Sequence, residues 1–234
     1  QESMGIDIAD FNHDGLYDIL SSDTHKTYLF MGIASEEFVD VSAAMHANVM
    51  DSFEMTWGVR FADIDNDGKV ELLQAQGDLY YPGQINPEHV GPMSFSISTQ
   101  IDGQFVEIQD EIGLTVTGSF RSVIPFHWNK DGVLDLLITD TDQAPLLYVS
   151  NNCTLNNYIY FTGKEGTKVR FSGGDQSFVG ELHTGSSFSA SQDPLLHFGL
   201  GDLEHIENVE VQYRGEGWSM LYETLQVPQH IVLE

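Results

Sequence analysis

The stretch that decides the fold is Gly58-Val59-Arg60-Phe61-Ala62-Asp63-Ile64-Asp65-Asn66-Asp67-Gly68-Lys69-Val70-Glu71-Leu72-Leu73. It reads as an apolar strand, an acidic loop and a second apolar strand. Three aspartates alternate through the loop, Gly68 allows a sharp turn, and Glu71 ends the acidic set. Carboxylates placed in this way can surround one hard cation such as Ca²⁺, which takes about six to eight oxygen ligands. The pattern therefore predicts a calcium loop between two strands.

The same spacing occurs twice more, around Gly15 and around Gly132. Counted from the first ligand, side-chain oxygens fall at positions 1, 3, 5 and 9, glycine at position 6, and a backbone carbonyl ligand at position 7. In the third loop, position 1 is His127, a poor ligand for a hard cation. The predicted calcium ligands are Asp10, Asn12, Asp14, Leu16 and Asp18 in loop 1, Asp63, Asp65, Asp67, Lys69 and Glu71 in loop 2, and Asn129, Asp131, Val133 and Asp135 in loop 3.

These loops are not EF-hands, because an EF-hand needs flanking helices and a glutamate at its twelfth position. Here that position holds Ser21, Gln74 or Ile138, and the short apolar runs around it suit strands. An alternative interpretation is a turn rich in aspartate and asparagine that closes through its own hydrogen bonds. If the loops do bind calcium, we expect a structural role, since a saturated oxygen cage leaves little open coordination for catalysis.

The composition is strongly acidic, with a formal net charge of −27. Such a charge argues against nucleic acid and anionic membranes as partners, because both would be repelled. It is typical of a calcium-rich or salty exterior, so we expect a secreted location, extracellular or periplasmic. Cys153 is the single cysteine, which excludes an internal disulfide. No apolar run is long enough to predict a membrane span.

The acidic loops recur within a longer repeat of four short strands, which is the pattern of propeller blades. After residue 150 the loops stop, and short strands separated by glycine turns continue to the end. This second block predicts a small β-sandwich or barrel-like domain. The expected architecture is all-β, with partial β-propeller blades over residues 1–150 and a β-domain over 151–234.

The repeats resemble FG-GAP/VCBS repeats, the calcium-loop blades of integrin-type propellers. Met4-Gly5, Trp57-Gly58 and Phe38-Val39-Asp40-Val41 are similar to the repeats of the cartilage acidic protein family. The segment Ser189–Gly201, with His197-Phe198-Gly199-Leu200-Gly201 at its end, resembles the ASPIC/UnbV domain that follows those repeats. A turn after Tyr213 departs from that family, because Arg214-Gly215-Glu216-Gly217 replaces its usual Trp-Pro-Ser-Gly. The resemblance implies a propeller that needs more than three blades.

Three functional hypotheses follow. The first is a secreted, calcium-stabilised module for adhesion or interaction, with a protein or glycan partner contacted through aromatic residues such as Trp57, Trp128 and Trp218. The second is an enzyme, or an enzyme-associated subunit, that uses the propeller face as a pocket. The third is a structural subunit that assembles with other chains, which complete the propeller through its open edges.

Overall fold

The computed structural model describes residues 3–24, 26–47, 55–78, 92–151 and 156–233. These residues form strands and turns and no helix, so the predicted all-β class is confirmed. Within the same ranges there is accordingly no helix long and apolar enough to cross a membrane. Cys153 lies outside the described residues.

The N-terminal part consists of three antiparallel sheets, each built in chain order like a propeller blade. In every sheet an acidic loop connects the first strand to the second. Blade 1 contains β1 (Ile6–Ala9), β2 (Asp18–Ser22), β3 (Thr27–Ala34) and β4 (Glu37–Asp40). Blade 2 contains β5 (Thr56–Ala62), β6 (Glu71–Gln76), β7 (Met93–Ile101) and β8 (Gln104–Glu107), and β9 (Thr117–Gly118) pairs with β7. Blade 3 contains β10 (Phe120–Phe126), β11 (Asp135–Asp140) and β12 (Leu146–Tyr148).

Blade 2 lies between the other two blades and is buried on both faces. One apolar cluster, which includes Leu20, Leu29 and Phe61, fills the space between blades 1 and 2. A second cluster, which includes Phe95 and Ile138, fills the space between blades 2 and 3. All six residues of β6 are therefore buried, whereas β4 on the rim of blade 1 is exposed along its whole length. Burial of this kind is the main stabilising contribution to the blade stack.

Two glycines allow the first strands of neighbouring blades to approach closely. A Cβ atom on Gly5 would lie 2.5 Å from the carbonyl oxygen of Trp57, and one on Gly58 would lie 2.6 Å from that of Arg121. No side chain fits at either distance. The glycines of the Met4-Gly5 and Trp57-Gly58 pairs are thus explained by contact between blades.

The C-terminal part is a β-sandwich. Its strands are β13 (Asn157–Thr162), β14 (Lys168–Gly173), β15 (Gln176–Glu181), β16 (Gly185–Ser186), β17 (Ala190–Ser191), β18 (Leu195–Gly201), β19 (His205–Gln212), β20 (Ser219–Gln226) and β21 (Gln229–Val232). One sheet has the order β18-β13-β21 and the other β15-β14-β19-β20. A single core that includes Phe161, Phe171 and Phe198 lies between them. The predicted β-sandwich is confirmed, although the predicted boundary at residue 150 stays a prediction.

The short β16–β17 hairpin enters the space where the first strands of the blades converge. The backbone N–H of Ile6 in blade 1 donates to the carbonyl oxygen of Ser187 over 3.4 Å. The N–H of Val123 in blade 3 donates to the Ser187 hydroxyl over 3.2 Å. Phe188 packs edge-on against Trp57 of blade 2, with ring centroids 5.0 Å apart. The C-terminal domain is thereby fixed to all three blades.

Candidate metal centre

Loop 2 brings three of its predicted ligands together. One carboxylate oxygen from each of Asp63, Asp65 and Glu71 lies within 4.8 Å of the other two. Oδ2 of Asp63 accepts a hydrogen bond from the N–H of Gly68 over 2.9 Å, whereas its buried Oδ1 has no hydrogen-bond partner. An unpartnered carboxylate oxygen away from water is costly. The donor set is all oxygen, which fits a hard cation.

The electrostatics of loop 2 also favour a cation. Burial, aided by the neighbouring carboxylates of Asp65 and Asp67, raises the pKa of Asp63 to about 8. Burial and the nearby Asp63 raise the pKa of Glu71 well above its usual value, and burial raises that of Asp65. Without a counter-ion these groups resist ionisation together. A divalent cation would remove that penalty by supplying the missing positive charge.

Asp67, at position 5 of loop 2, forms an ion pair with Lys69. Oδ2 of Asp67 accepts from Nζ of Lys69 over 3.1 Å, and Oδ1 accepts from the backbone N–H of Lys69 over 2.7 Å. The Lys69 side chain is 54 % exposed, so this ion pair contributes little to stability. Asp67 lies outside the three-carboxylate group. To bind the same ion, its carboxylate would have to exchange the ammonium group for the cation.

Loop 1 satisfies its carboxylates through its own backbone. Asp10 accepts from the N–H groups of Asp14 and Gly15, each over 3.0 Å. Asp14 accepts from the N–H of Leu16 and from the amide of Asn12. Burial nevertheless raises the pKa of Asp10 to about 7 and that of Asp18 to about 6. Loop 1 therefore has the charge environment of a cation site together with the self-closed geometry of the alternative interpretation.

Loop 3 fits a cation least well. Nδ1 of His127, at position 1, lies 3.1 Å from the carbonyl oxygen of Val133, which is the predicted backbone ligand. Asp131 accepts from the amide of Asn129 and from the N–H of Val133. Three of the predicted ligands, Asn129, Asp131 and Val133, are therefore bonded to one another, and the Val133 carbonyl also contacts an imidazole that cannot replace a carboxylate.

The acid at position 9 has a second role that the spacing did not predict. In each loop one oxygen of this acid accepts from the N–H at position 2, and the other accepts from the third strand or from a residue shortly after that strand. Asp18 binds Phe11 and Gly32, Glu71 binds Ile64 and the hydroxyl of Thr99, and Asp135 binds Trp128 and Ser150. The acid thus joins the start of its loop to the next strands of the same blade. All six hydrogen bonds measure 2.7 to 3.0 Å.

Side chains at position 4 connect each loop to the next one. Nε2 of His13 in loop 1 donates to the carbonyl oxygen of Gly68 in loop 2 over 3.1 Å. Nδ2 of Asn66 in loop 2 donates to the carbonyl oxygen of Gly132 in loop 3, also over 3.1 Å. Both donors lie at position 4 and both acceptors at position 6. We call this recurring contact the position-4 link.

The C-terminal domain covers the loops, and its His197–Gly201 motif contacts loop 2. Nε2 of His197 donates to Oδ1 of Asn66 over 2.7 Å, and the N–H of Gly201 donates to the carbonyl oxygen of Asn66 over 2.9 Å. A Cβ atom on Gly199 would lie 2.0 Å from Oδ2 of Asp63 and 2.6 Å from Cα of Asn66. The motif recognised in the sequence is therefore a docking surface for loop 2.

Loops 1 and 3 are covered in a similar way. The N–H of Ser177 donates to the carbonyl oxygen of His13 over 3.1 Å, and Phe178 packs on the His13 ring with centroids 4.4 Å apart. At loop 3, a Cβ atom on Gly132 would lie 2.0 Å from the Tyr158 ring. Gly132 also has a φ of +92°, so this position requires glycine for two reasons.

A half-buried histidine pair lies at the contact between loop 3 and the C-terminal domain. Nε2 of His127 lies 3.2 Å from Nδ1 of His197, and the His127 ring packs on Tyr160 with centroids 4.3 Å apart. Burial lowers the pKa of both histidines, most strongly that of His197. A neutral His127 ring carries a single N–H. It can therefore donate a hydrogen bond either to the Val133 carbonyl or to His197, but not to both.

A small, partly open cavity lies between the first strands of the blades and the C-terminal domain. Its volume is about 90 Å³, and it is lined by residues that include Asp7, Arg60, His183 and Gln192. Ligand sites are usually about 300–1,000 Å³, so this volume suits a few water molecules. Arg60 and Asp7 form a buried ion pair of 3.4 Å at its wall.

Sequence comparisons agree with this architecture. Residues 4–73 match the model of the FG-GAP-like repeat, and residues 164–234 match that of ASPIC and UnbV. These two matches confirm the resemblance that was recognised from the sequence. It is 24 % identical to human Cartilage acidic protein 1 over an alignment that covers 91 % of this chain and 33 % of that protein. The chain thus spans about a third of the length of this curated relative.

Proposed function

We propose that this chain is a secreted, calcium-binding interaction module, in which Ca²⁺ neutralises the acidic loops and stabilises the propeller blades. The observation that carries the proposal is the group of three carboxylates in loop 2, together with the buried, unpartnered Oδ1 of Asp63. Asp63, Asp65 and Glu71 would hold the ion, together with the backbone carbonyl of Lys69.

The three loops differ in how well they support a cation. Loop 2 has the unpartnered oxygen of Asp63, whose pKa is raised to about 8. Loop 1 has raised pKa values but a complete set of internal hydrogen bonds, so we expect weaker binding there. Loop 3 has neither an acid at position 1 nor a free position-7 carbonyl, so we expect it to bind last.

The proposed role is structural because all three loops lie beneath the C-terminal domain. Asn66 at the turn of loop 2 contacts both that domain and loop 3. An ion in loop 2 would therefore couple the folding of blade 2 to the docking of its neighbours. Binding of an outside partner would then take place on the surface that this assembly presents.

Three observations support an extracellular setting for that role. The net charge of −27 is tolerated best where salt and calcium are abundant. The FG-GAP-like repeat and the ASPIC and UnbV domain occur together in this chain. The related human protein is named for cartilage and for its acidity.

Isothermal titration calorimetry with calcium tests the proposal. We expect wild-type protein to bind at least one ion, and Asp63→Asn to lose the tightest site. Asp110→Asn is the matched control, because Asp110 is an exposed acid outside the loops. The proposal is wrong if Asp63→Asn and Asp110→Asn bind calcium equally well, or if no heat of binding is seen at millimolar calcium.

A further inference from the structure

The position-4 link between loops 1 and 2 connects two predicted calcium loops through a single side chain. Nε2 of His13 in loop 1 donates to the carbonyl oxygen of Gly68 in loop 2 over 3.1 Å. His13 is buried, and its Nδ1 has no hydrogen-bond partner among the described residues. Within that part of the chain, the Gly68 carbonyl is therefore the one acceptor on which the ring depends.

On the loop 2 side, Gly68 is connected to two predicted ligands. Its N–H donates to Oδ2 of Asp63 over 2.9 Å. Its carbonyl shares a peptide group with the N–H of Lys69, which donates to Oδ1 of Asp67 over 2.7 Å. Because a peptide group is planar, a cation that binds these carboxylates also fixes the direction of the Gly68 carbonyl.

On the loop 1 side, His13 is connected to the first predicted ligand of its own loop. The peptide group that follows His13 contains the N–H of Asp14, which donates to Oδ1 of Asp10 over 3.0 Å. The side chain of His13 therefore contacts loop 2, while its backbone orients a carboxylate of loop 1. One residue joins the two sets of predicted ligands.

The C-terminal domain holds His13 at both its ring and its backbone. Phe178 packs on the ring with centroids 4.4 Å apart, and the N–H of Ser177 donates to the His13 carbonyl over 3.1 Å. The φ of His13 is +57°, which is uncommon for a residue other than glycine. Since the ring and the backbone are both restrained, a change at the Gly68 carbonyl is passed to loop 1 and is not absorbed by rotation of the side chain.

Order in one loop reduces the cost of binding an ion in the other. An ion in loop 2 would bind the backbone carbonyl of Lys69, directly after Gly68, and would fix the acceptor of the link. His13 and the peptide group that holds Asp10 would then be ordered before a second ion arrives. Binding to a segment that is already ordered loses less conformational entropy, and this produces positive cooperativity.

We propose that loops 1 and 2 bind calcium cooperatively, with loop 2 filled first and His13 transmitting its occupancy to loop 1. This inference rests on the proposed function, because it requires calcium in both loops. The effect is reciprocal, since an ion in loop 1 must raise the affinity of loop 2 by the same factor. Coupling between linked sites is typically about fivefold or more.

Calcium titrations of variants with one working loop measure the coupling. Asp131→Asn is present throughout to keep loop 3 empty, Asp14→Asn then leaves loop 2 alone, and Asp65→Asn leaves loop 1 alone. Each asparagine keeps a side-chain oxygen for the backbone N–H two residues further on. The coupling factor is the two-ion binding constant with both loops intact, divided by the product of the two single-loop constants. We expect a factor of at least about five.

Two substitutions of His13 separate its hydrogen bond from its packing. His13→Gly removes the donor and keeps the φ of +57° accessible, so the coupling factor should fall to about one. His13→Asn loses the ring contact with Phe178 but keeps a donor, because Asn66 makes the same contact from position 4 of loop 2 over 3.1 Å. We expect His13→Asn to retain most of the coupling.

The outcomes distinguish this inference from the function on which it rests. A coupling factor of about one or less, a loop 1 that binds no calcium, or equal coupling with and without His13→Gly would overturn cooperativity through His13 and leave the loop 2 site standing. Loss of coupling in His13→Asn as complete as in His13→Gly would overturn the hydrogen bond as its route. A loop 2 that binds no calcium in the Asp14→Asn variant would contradict the proposed function, and this inference with it.

Discussion

Nε2 of His197 lies 2.7 Å from Oδ1 of Asn66, and this contact joins the C-terminal domain to the turn of loop 2. The amide of Asn66 is held in one orientation because its Nδ2 donates to the Gly132 carbonyl. Oδ1 is therefore the acceptor, and His197 carries its proton on Nε2. One asparagine between two predicted ligands thus connects two loops and two domains.

Replacing Asn66 should destabilise the whole assembly. Asn66→Gly keeps the φ of +62° accessible but leaves Nε2 of the half-buried His197 and the Gly132 carbonyl without their hydrogen-bond partner. Each orphaned group costs about 1–3 kcal/mol, so we expect the free energy of unfolding to fall by about 3 kcal/mol. Chemical denaturation measures this change.

Asn208→Gly is the control for that substitution. Asn208 has a similar φ of +53° and is exposed, with one weak side-chain hydrogen bond to Ser172. We expect a change within about 0.5 kcal/mol. Equal losses for Asn66→Gly and Asn208→Gly would show that the Asn66 side chain contributes nothing beyond its backbone conformation.

Gly199→Ala should disturb the docking of the His197–Gly201 motif. The added methyl would overlap Oδ2 of Asp63 and the backbone of Asn66. Overpacking of this kind costs about 1–3 kcal/mol, and it would also displace Asp63, the first predicted ligand of loop 2. We therefore expect lower stability together with weaker calcium binding, measured by thermal unfolding and calorimetry.

Gly217→Ala provides the comparison, because the methyl group it adds would have nothing within 4 Å. That variant should behave like the wild type in both measurements. If Gly199→Ala bound calcium as tightly as Gly217→Ala, the motif would be a domain contact with no influence on loop 2.

The buried ion pair between Asp7 and Arg60 should show strong coupling. Their side chains are 3 % and 9 % exposed, and the atoms lie 3.4 Å apart. Removing one partner leaves the other charge buried, which costs about 3–5 kcal/mol. The double replacement Asp7→Leu with Arg60→Leu should cost less than the sum of the single changes.

A double-mutant cycle on Arg170 and Glu210 gives the exposed counterpart. That pair is closer, at 2.7 Å, but its side chains are 46 % and 24 % exposed. We expect a coupling of at most about 1 kcal/mol. Comparable coupling in the two cycles would contradict the burial argument for Asp7 and Arg60.

Calcium affinity should rise with pH between about pH 6 and pH 8. Burial raises the pKa of Asp63 to about 8 and that of Asp10 to about 7, so without a cation both carboxyls hold protons near neutrality. Calcium must displace those protons, and affinity should fall by about tenfold per pH unit for each proton displaced as the pH decreases below these values. Calorimetry in buffers of different ionisation enthalpy would count the protons released. An affinity that stays constant from pH 8 to pH 6 would contradict the raised pKa of Asp63.

The three strand–loop–strand units could be predicted from the sequence because their information is local. Aspartates at alternate positions, a glycine with positive φ at Gly15, Gly68 and Gly132, and apolar flanks all lie within a few residues of one another. The His197–Gly201 motif was recognised from its resemblance to the ASPIC/UnbV domain, although that resemblance did not indicate what the motif contacts.

The contacts between the units could not be predicted in this way. Nothing near Asn66 in the sequence indicates that its partner is His197, 131 residues further on. The alternative, self-closed interpretation of loop 1 also depends on backbone geometry that spacing alone does not specify. One available signal was position 4 itself, which is polar in all three loops, at His13, Asn66 and Lys130.

Thermal unfolding with and without calcium tests the central claim most directly, namely that a divalent cation neutralises the loop 2 carboxylates and stabilises the blades. At calcium about 100-fold above the dissociation constant, binding adds about 2.7 kcal/mol, which corresponds to about 5–10 °C in a protein of this size. We predict that a chelator lowers the melting temperature by that amount, that calcium restores it, and that Asp63→Asn removes most of the difference. Equal melting temperatures with chelator and with millimolar calcium would contradict the account.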